Sequence, residues 1–399
     1  MTRWAVSGYF FINGIAFSSW VARIPDIKQG LHLGDGMLGL ALLVAATGTV
    51  VGLSTVGRFV DRFGGQVISR AAALAVAVGL IGPGLASNVF LLMAALLFFG
   101  LAGGAYNVAM NAQALALDRV YGRDIITSFH AAYSVGGLVG SGLGILAVRF
   151  HIGPDAAFPV IAGVLAVGSW MCGRCPDVPT DPRSSRPQKD GGAKARVLNP
   201  RIALLGACCF VCLLVEGAIA DWSSVYLRND VGVAAAIAPT GFTVFSVAMA
   251  VGRILGDRLA AAVGSMRLVA WSAVVSGTGL GVGLLSNQQS GALLGLGVFG
   301  AGLSCITPQM YKTVGEQFPA STGSAVASVA TLGYAGLLTG PPTIGLIAHA
   351  VGLPSALGLL ALLMIPVALA SRIVARWHGV QHAVSGGTGR FGDVSAPGR

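Results

Sequence analysis

The stretch VGRFVDRFGG, Val56–Gly65, decides how this chain is read. Two arginines, one aspartate and three glycines interrupt sequence that is apolar on both sides. A charge in the hydrocarbon core costs roughly 2.5–3.5 kcal/mol on insertion scales. A charged break between apolar runs therefore marks a place where the chain leaves the lipid. The pattern returns as VGRILGDRL, Val251–Leu259.

Composition supports a membrane setting. Of 399 residues, 54% are hydrophobic and only 10% are charged, against about 25% charged in soluble domains. Mean hydropathy is +0.77. Apolar runs long enough to span a bilayer fall near 4–22, 36–56, 68–86, 89–115, 126–148 and 157–174. Six more fall near 201–220, 238–256, 267–286, 291–311, 323–347 and 354–375. The first run follows Arg3 as a signal peptide would, but it has a counterpart in mid-chain and is read as part of the fold. The expectation is an all-α membrane protein of twelve transmembrane helices in two six-helix halves. Residues 1–174 form the first half, 175–200 a cytoplasmic linker, 201–376 the second half and 377–399 a disordered tail.

Twelve spans put both termini on one side, and the basic residues say which. With the termini in the cytoplasm, 21 of the 25 Lys and Arg residues fall in cytoplasmic segments and 4 outside. That asymmetry is the positive-inside rule. It also accounts for the net charge of +10 without nucleic acid, for which no separate basic domain exists. The expected location is the bacterial inner membrane.

The halves repeat. Ser87–Asn88 returns as Ser286–Asn287, Phe99–Gly100 as Phe299–Gly300, and Gly136 with Gly140 as Gly336 with Gly340, at offsets of 199 to 200. Gly57 and Gly252 open the two charged stretches 195 apart, and NGIAFSSW ending at Trp20 is echoed by EGAIADW ending at Trp222. Parallel repeats of this kind are found in rocking transporters.

On these features the chain resembles the major facilitator superfamily over residues 1–376. The family pattern after the second span is Gly, three residues, Asp-Arg, one residue and Gly, matched by Gly57, Asp61, Arg62 and Gly64. A basic residue usually follows; here Gly65 and Gln66 stand in its place, and Arg58 or Arg70 could supply the charge. Gly252, Asp257 and Arg258 form the second copy, with one extra residue inside. The resemblance implies that these residues form a cytoplasmic gate. SSWVARIPDIK, NVAMNAQALALDR and EGAIADWSSVYLR further resemble a bacterial branch of uncharacterised permeases distantly similar to fucose permease.

Spans one, four, seven and ten line the central cavity in that family. They supply Asn13, then Tyr106, Asn107 and Asn111, then Glu216, then Gln309. Amides and a carboxylate suit a small polar solute. Among 15 acidic residues, Glu216 is the one well inside a span, and His130 is the one histidine so placed. Both are candidates for proton coupling, at different depths. Each also has a structural reading, as a carboxylate or ring bonded to a neighbouring helix. Trp20, Arg23, Asp221 and Trp222 end matched spans and are candidates for an outer gate, although tryptophan is also a common interfacial anchor.

Ser141 stands where drug–proton antiporters carry a proline, which weighs against efflux. Cys172/Cys175 and Cys209/Cys212 have Cys-x-x-Cys spacing, but the second pair lies inside an apolar run, so no metal is expected. No Walker A sequence occurs, and no catalytic constellation stands out. The expected function is proton-coupled symport of a small polar solute by a single chain without cofactors. Proton-coupled efflux of an amphipathic compound is the alternative, and a membrane receptor or embedded enzyme a distant third.

Overall fold

The computed structural model describes residues 3–121, 125–174, 199–318 and 322–387. The side chains of Asp61 and Asp257, most of the expected linker (175–198) and the end of the tail (388–399) lie outside the described residues. Apolar segments in lipid must satisfy their backbone internally, and the described residues form thirteen α-helices and no strands. In the first half these are α1 (Arg3–Gly30), α2 (Asp35–Phe63), α3 (Gly65–Leu85), α4 (Val89–Tyr121), α5 (Ile126–Arg149) and α6 (Pro154–Cys172). The second half has α7 (Pro200–Asn229), α8 (Thr240–Val263), α9 (Ser265–Leu285), α10 (Gln289–Leu303), α11 (Ile306–Gln317), α12 (Thr322–Val351) and α13 (Leu353–Gly387). Taking α10 and α11 as one broken span, twelve spans result. Ten spans among the described residues are long and apolar enough to cross a bilayer.

Local chemistry sets the boundaries. Asn199 caps α7 by accepting from the Arg201 amide at 2.9 Å, and Pro200 occupies the first helical position. The break between α10 and α11 was not expected. Pro308 follows it and cannot donate to the carbonyl four residues back, which leaves the ladder open at Ser304. The last helix runs to Gly387, past Trp377, where the unpacked tail was expected to begin. No proline after Pro366 interrupts it before that point.

The opening stretch is corrected in two ways. First, the charged stretch does not interrupt the helix: Val56–Phe63 continues α2 past the apolar run expected near 36–56, and only Gly64 breaks it, at φ 87°. Its twin is Gly264 at φ 88°, ending α8. Both positions lie where a side chain is strained. They are 200 residues apart, so the structural register is 200 and not the 195 of the motif echo.

Second, packing repeats the 200 register. A Cβ on Gly100 would run into the Ala45 carbonyl, and one on Gly300 into that of Phe245. A Cβ on Gly52 would meet the Leu101 carbonyl, and one on Gly252 that of Ala301. Gly252 therefore corresponds to Gly52, a helix-packing position, and not to Gly57. A Cβ on Gly57 would meet nothing within 4 Å. We expect Gly57→Ala to leave the melting temperature unchanged or raise it, since alanine gains up to about 1 kcal/mol over glycine in a helix. Gly52→Ala and Gly252→Ala should lower it. Equal losses at all three positions would show that Gly57 is tightly packed after all.

The halves meet chiefly along α2 with α12 and α1 with α7, with a smaller contact of α5 with α8. Glycine permits the first contact: Cβ atoms on Gly39 and Gly345 would strike each other's backbone. These residues lie near the start of α2 and the end of α12, at the face of the bundle away from the chain termini. We call it the distal face, and the opposite one the terminal face.

Candidate functional site

The middle of the bundle holds an ion pair. Glu216 lies thirteen residues before the end of α7, about 20 Å below it at 1.5 Å per residue. Arg253 lies thirteen residues into α8, which enters from the distal face, so it reaches a similar depth. Arg253 Nη2 is 3.6 Å from Glu216 Oε1, and the side chains are 50% and 28% exposed. The pair faces open space and is not sealed in the core. From the other half, α5 contributes His130 and Tyr133, one helical turn apart. The exposed His130 ring meets Phe10 edge-on at 5.2 Å and lies within electrostatic reach of Arg253. Tyr133 and Tyr311 of α11 lie within electrostatic reach of Glu216. The site thus draws on both halves.

The distal face above it is latched. Asp26 on α1 receives Arg23 Nε at 2.6 Å and, from the other half, Arg228 Nη1 of α7. Arg23 is 3% exposed, and its Nη2 also donates to the Ile152 carbonyl at 2.8 Å. Gln29 Nε2 donates to Asn229 Oδ1 at 3.2 Å, a second tie across the halves. Lys28 and Asp35 pair at 2.5 Å between α1 and α2. Just past α7, burial and then the Asp35 carboxylate push the Asp230 carboxyl above its ordinary range, against the pull of Lys28. Below the latch, Phe17 meets Phe242 of the other half edge-on at 6.4 Å.

At the terminal face the ties described stay within one half. Gln66 Nε2 donates to the Gly173 carbonyl at 3.0 Å, and the Arg201 guanidinium lies over the Trp377 ring. Gly64, Arg62 and Arg258 sit at or near helix ends of this face.

Several residues expected in the cavity pack elsewhere. Tyr106 is fully buried and its hydroxyl donates to the Tyr9 carbonyl at 2.7 Å, so it ties α4 to α1. Gln309 is 3% exposed, inside the second half. Both are corrected for the same reason: on a membrane helix, a polar residue facing a neighbouring helix and one facing a cavity look alike in sequence. Asn107 and Asn111 are half-buried, and Asn111 Nδ2 donates back to the Asn107 carbonyl at 2.8 Å. Asn13 Nδ2 is 3.8 Å from Met110 Sδ. Trp20 is buried within the first half, 6.5 Å from Phe99, and is no gate across the halves. Trp222 is buried too, but beside the α2–α12 junction, donating to the Pro341 carbonyl at 2.9 Å. Asp221 is half-buried next to it on α7.

Sequence reasoning missed Arg253, Tyr133, Tyr311, Asp26 and Arg228. Two signals were available. Asp26 and Arg228 each stand six residues after the matched tryptophans, with opposite charge. Arg253 was drawn into the loop motif by the 195 offset; the 200 offset aligns it with Leu53, inside a span.

The family profile described as Major Facilitator Superfamily matches residues 6–240. The chain belongs to this superfamily. It is 32% identical over 369 residues to an uncharacterised MFS-type transporter of Yersinia pestis, covering 92% of this chain and 94% of that one. Its fold is similar to a crystal structure of the nucleoside transporter NupG, with TM-score 0.76 and 13% identity over 93% of this chain and 98% of the other. It is also similar to a D-xylose-proton symporter, with TM-score 0.69 and 16% identity over 91% and 97%. The protein is therefore an integral membrane transporter of the superfamily, and not an enzyme.

Proposed function

We propose that this superfamily member is a proton-coupled symporter of a small polar solute, working by alternating access, in a bacterial inner membrane with both termini in the cytoplasm. The observation that carries this reading is the half-open Glu216–Arg253 pair, midway along α7 and α8, with the polar ties between the halves that the described residues show lying on its distal side. In this orientation, which the basic asymmetry supports at 20 to 4 once the mid-span Arg253 is left out, the latched distal face is read as the mark of an inward-facing state. Glu216 is the group that loads a proton, and His130 relays it from the terminal side. The fold neighbour named as a D-xylose-proton symporter supports the same reading. Asp61 and Arg62, with Arg258, are assigned to the cytoplasmic closure of the alternate state.

The test uses liposomes loaded with a pH dye and a panel of sugars, sugar acids and nucleosides. Symport acidifies the lumen when a substrate is added outside, and accumulation grows with an inward proton gradient. Glu216→Gln should reduce gradient-driven accumulation by about 100-fold, within the range lost when a proton-transfer group is removed, while exchange of internal for external solute persists. Full proton coupling in Glu216→Gln refutes the assignment. Accumulation driven by an outward proton gradient refutes symport in favour of efflux.

A further inference from the structure

We propose that Arg253 is the receptor for a carboxylate on the cargo, so that the solute is a small hydroxylated monocarboxylate carried with one proton. This rests on the coupling role given to Glu216 above. Four observations lead to it.

Arg253 is out of place in the repeat. Its counterpart at the 200 offset is Leu53, and the other arginines of the two stretches, Arg58, Arg62 and Arg258, lie nearer helix ends. A mid-span arginine is costly enough that packing alone gives no reason for it.

Glu216 does not satisfy Arg253. At 3.6 Å the contact is beyond hydrogen-bonding range, and half of the arginine side chain is exposed. A guanidinium has five donors and no acceptor. Half of the side chain stays exposed within electrostatic reach of His130 of the other half, which leaves donors for the two oxygens of a carboxylate.

The neighbours suit hydroxyl groups. Tyr133 and Tyr311 lie within electrostatic reach of Glu216, and His130 within reach of Arg253, each a donor or acceptor on an aromatic body. No further fixed charge is described there. The titratable groups near the pair are His130 and Tyr133 of α5, Tyr311 of α11, Cys212 of α7, and Cys305, whose thiol lies 3.6 Å from the Gly252 carbonyl.

Charge then balances in both directions. In the empty site, Glu216 and Arg253 cancel. In the loaded site, a proton neutralises Glu216 and the carboxylate neutralises Arg253. Each crossing moves a pair with no net charge, which avoids the cost of an uncompensated ion in the membrane. A neutral solute with one proton would leave Arg253 unpaired, and a phosphate ester would bring a second charge.

The experiment titrates the purified full-length protein at pH 6 with D-gluconate, D-glucuronate, D-glucose, D-glucitol and glucose 6-phosphate, read by thermal shift. At least one sugar acid should bind at least tenfold more tightly than its neutral counterpart. Arg253→Gln should remove that preference, and Arg253→Lys should keep part of it. In liposomes, uptake of the same acid should follow the pH gradient and ignore an imposed potassium diffusion potential. Neutral sugars binding as tightly as the acids would overturn the proposal. So would unchanged acid binding by Arg253→Gln, tighter binding of the phosphate ester, uptake driven by potential alone, or no binding of any acid. A neutral-solute symporter would pass the Glu216→Gln test and fail here, so the two readings can fail separately.

Discussion

Asp26→Asn should open the distal face more than any other single change there. Asp26 is the one carboxylate between two arginines of the latch, Arg23 on its own helix and Arg228 across the halves. Removing it leaves a buried Arg23 and a half-buried Arg228 without their shared carboxylate, and breaking a buried pair costs about 3–5 kcal/mol. Each 1.4 kcal/mol is a tenfold shift of population, so the latched state should fall by about 100-fold or more. Arg228→Met should cost less, because Arg23 still pairs with Asp26 and still holds the Ile152 carbonyl. The double variant should be milder than Asp26→Asn alone, since one stranded cation is gone. Spin labels replacing Gln29 and Asn229, which touch in the latched state, measure the opening. A distance unchanged by Asp26→Asn, or a larger opening in Arg228→Met, would show that the charges do not hold this face shut.

Gly136→Val and Gly336→Val should abolish folding of the halves they occupy. A Cβ at Gly136 would lie inside the Phe11 carbonyl of α1, and one at Gly336 inside the Phe210 carbonyl of α7. The obstruction is backbone, which no rotamer change relieves, so the cost exceeds the roughly 1–3 kcal/mol of ordinary overpacking. Because the small residues are what let these helices approach, separation of α1 from α5 or α7 from α12 should follow. Gly142 and Gly163, where a Cβ would meet nothing within 4 Å, serve as controls. Size-exclusion profiles should show aggregated or absent protein for the first pair and a wild-type peak for the controls. A monodisperse Gly136→Val or Gly336→Val protein with an unchanged melting temperature would sink the argument.

These glycines also show how far sequence reaches. Gly136, Gly140, Gly336 and Gly340 gave the 200 offset directly, because close helix packing demands the smallest residue at the same place in both halves. The charged stretches misled by five residues. A Gly-Arg…Asp-Arg string has the same letters whether it ends one helix or begins the last turns of another, and only helix length separates the two cases.

The sequence by itself determined the span count, the two halves and that Glu216 lies inside a span. All three follow from hydropathy and chain length, which act locally along the helix. It also placed Trp222 and Arg23 near the distal face. Tertiary structure decided which polar residues face a cavity and which face a neighbouring helix: Tyr106 and Gln309 turned inward to packing, while Arg253 turned to Glu216. It also decided that Asp26 joins the halves. The reason is physical. In a bundle of membrane helices every face is apolar enough for lipid, so rotation about each helix axis is fixed by contacts between helices far apart in the chain.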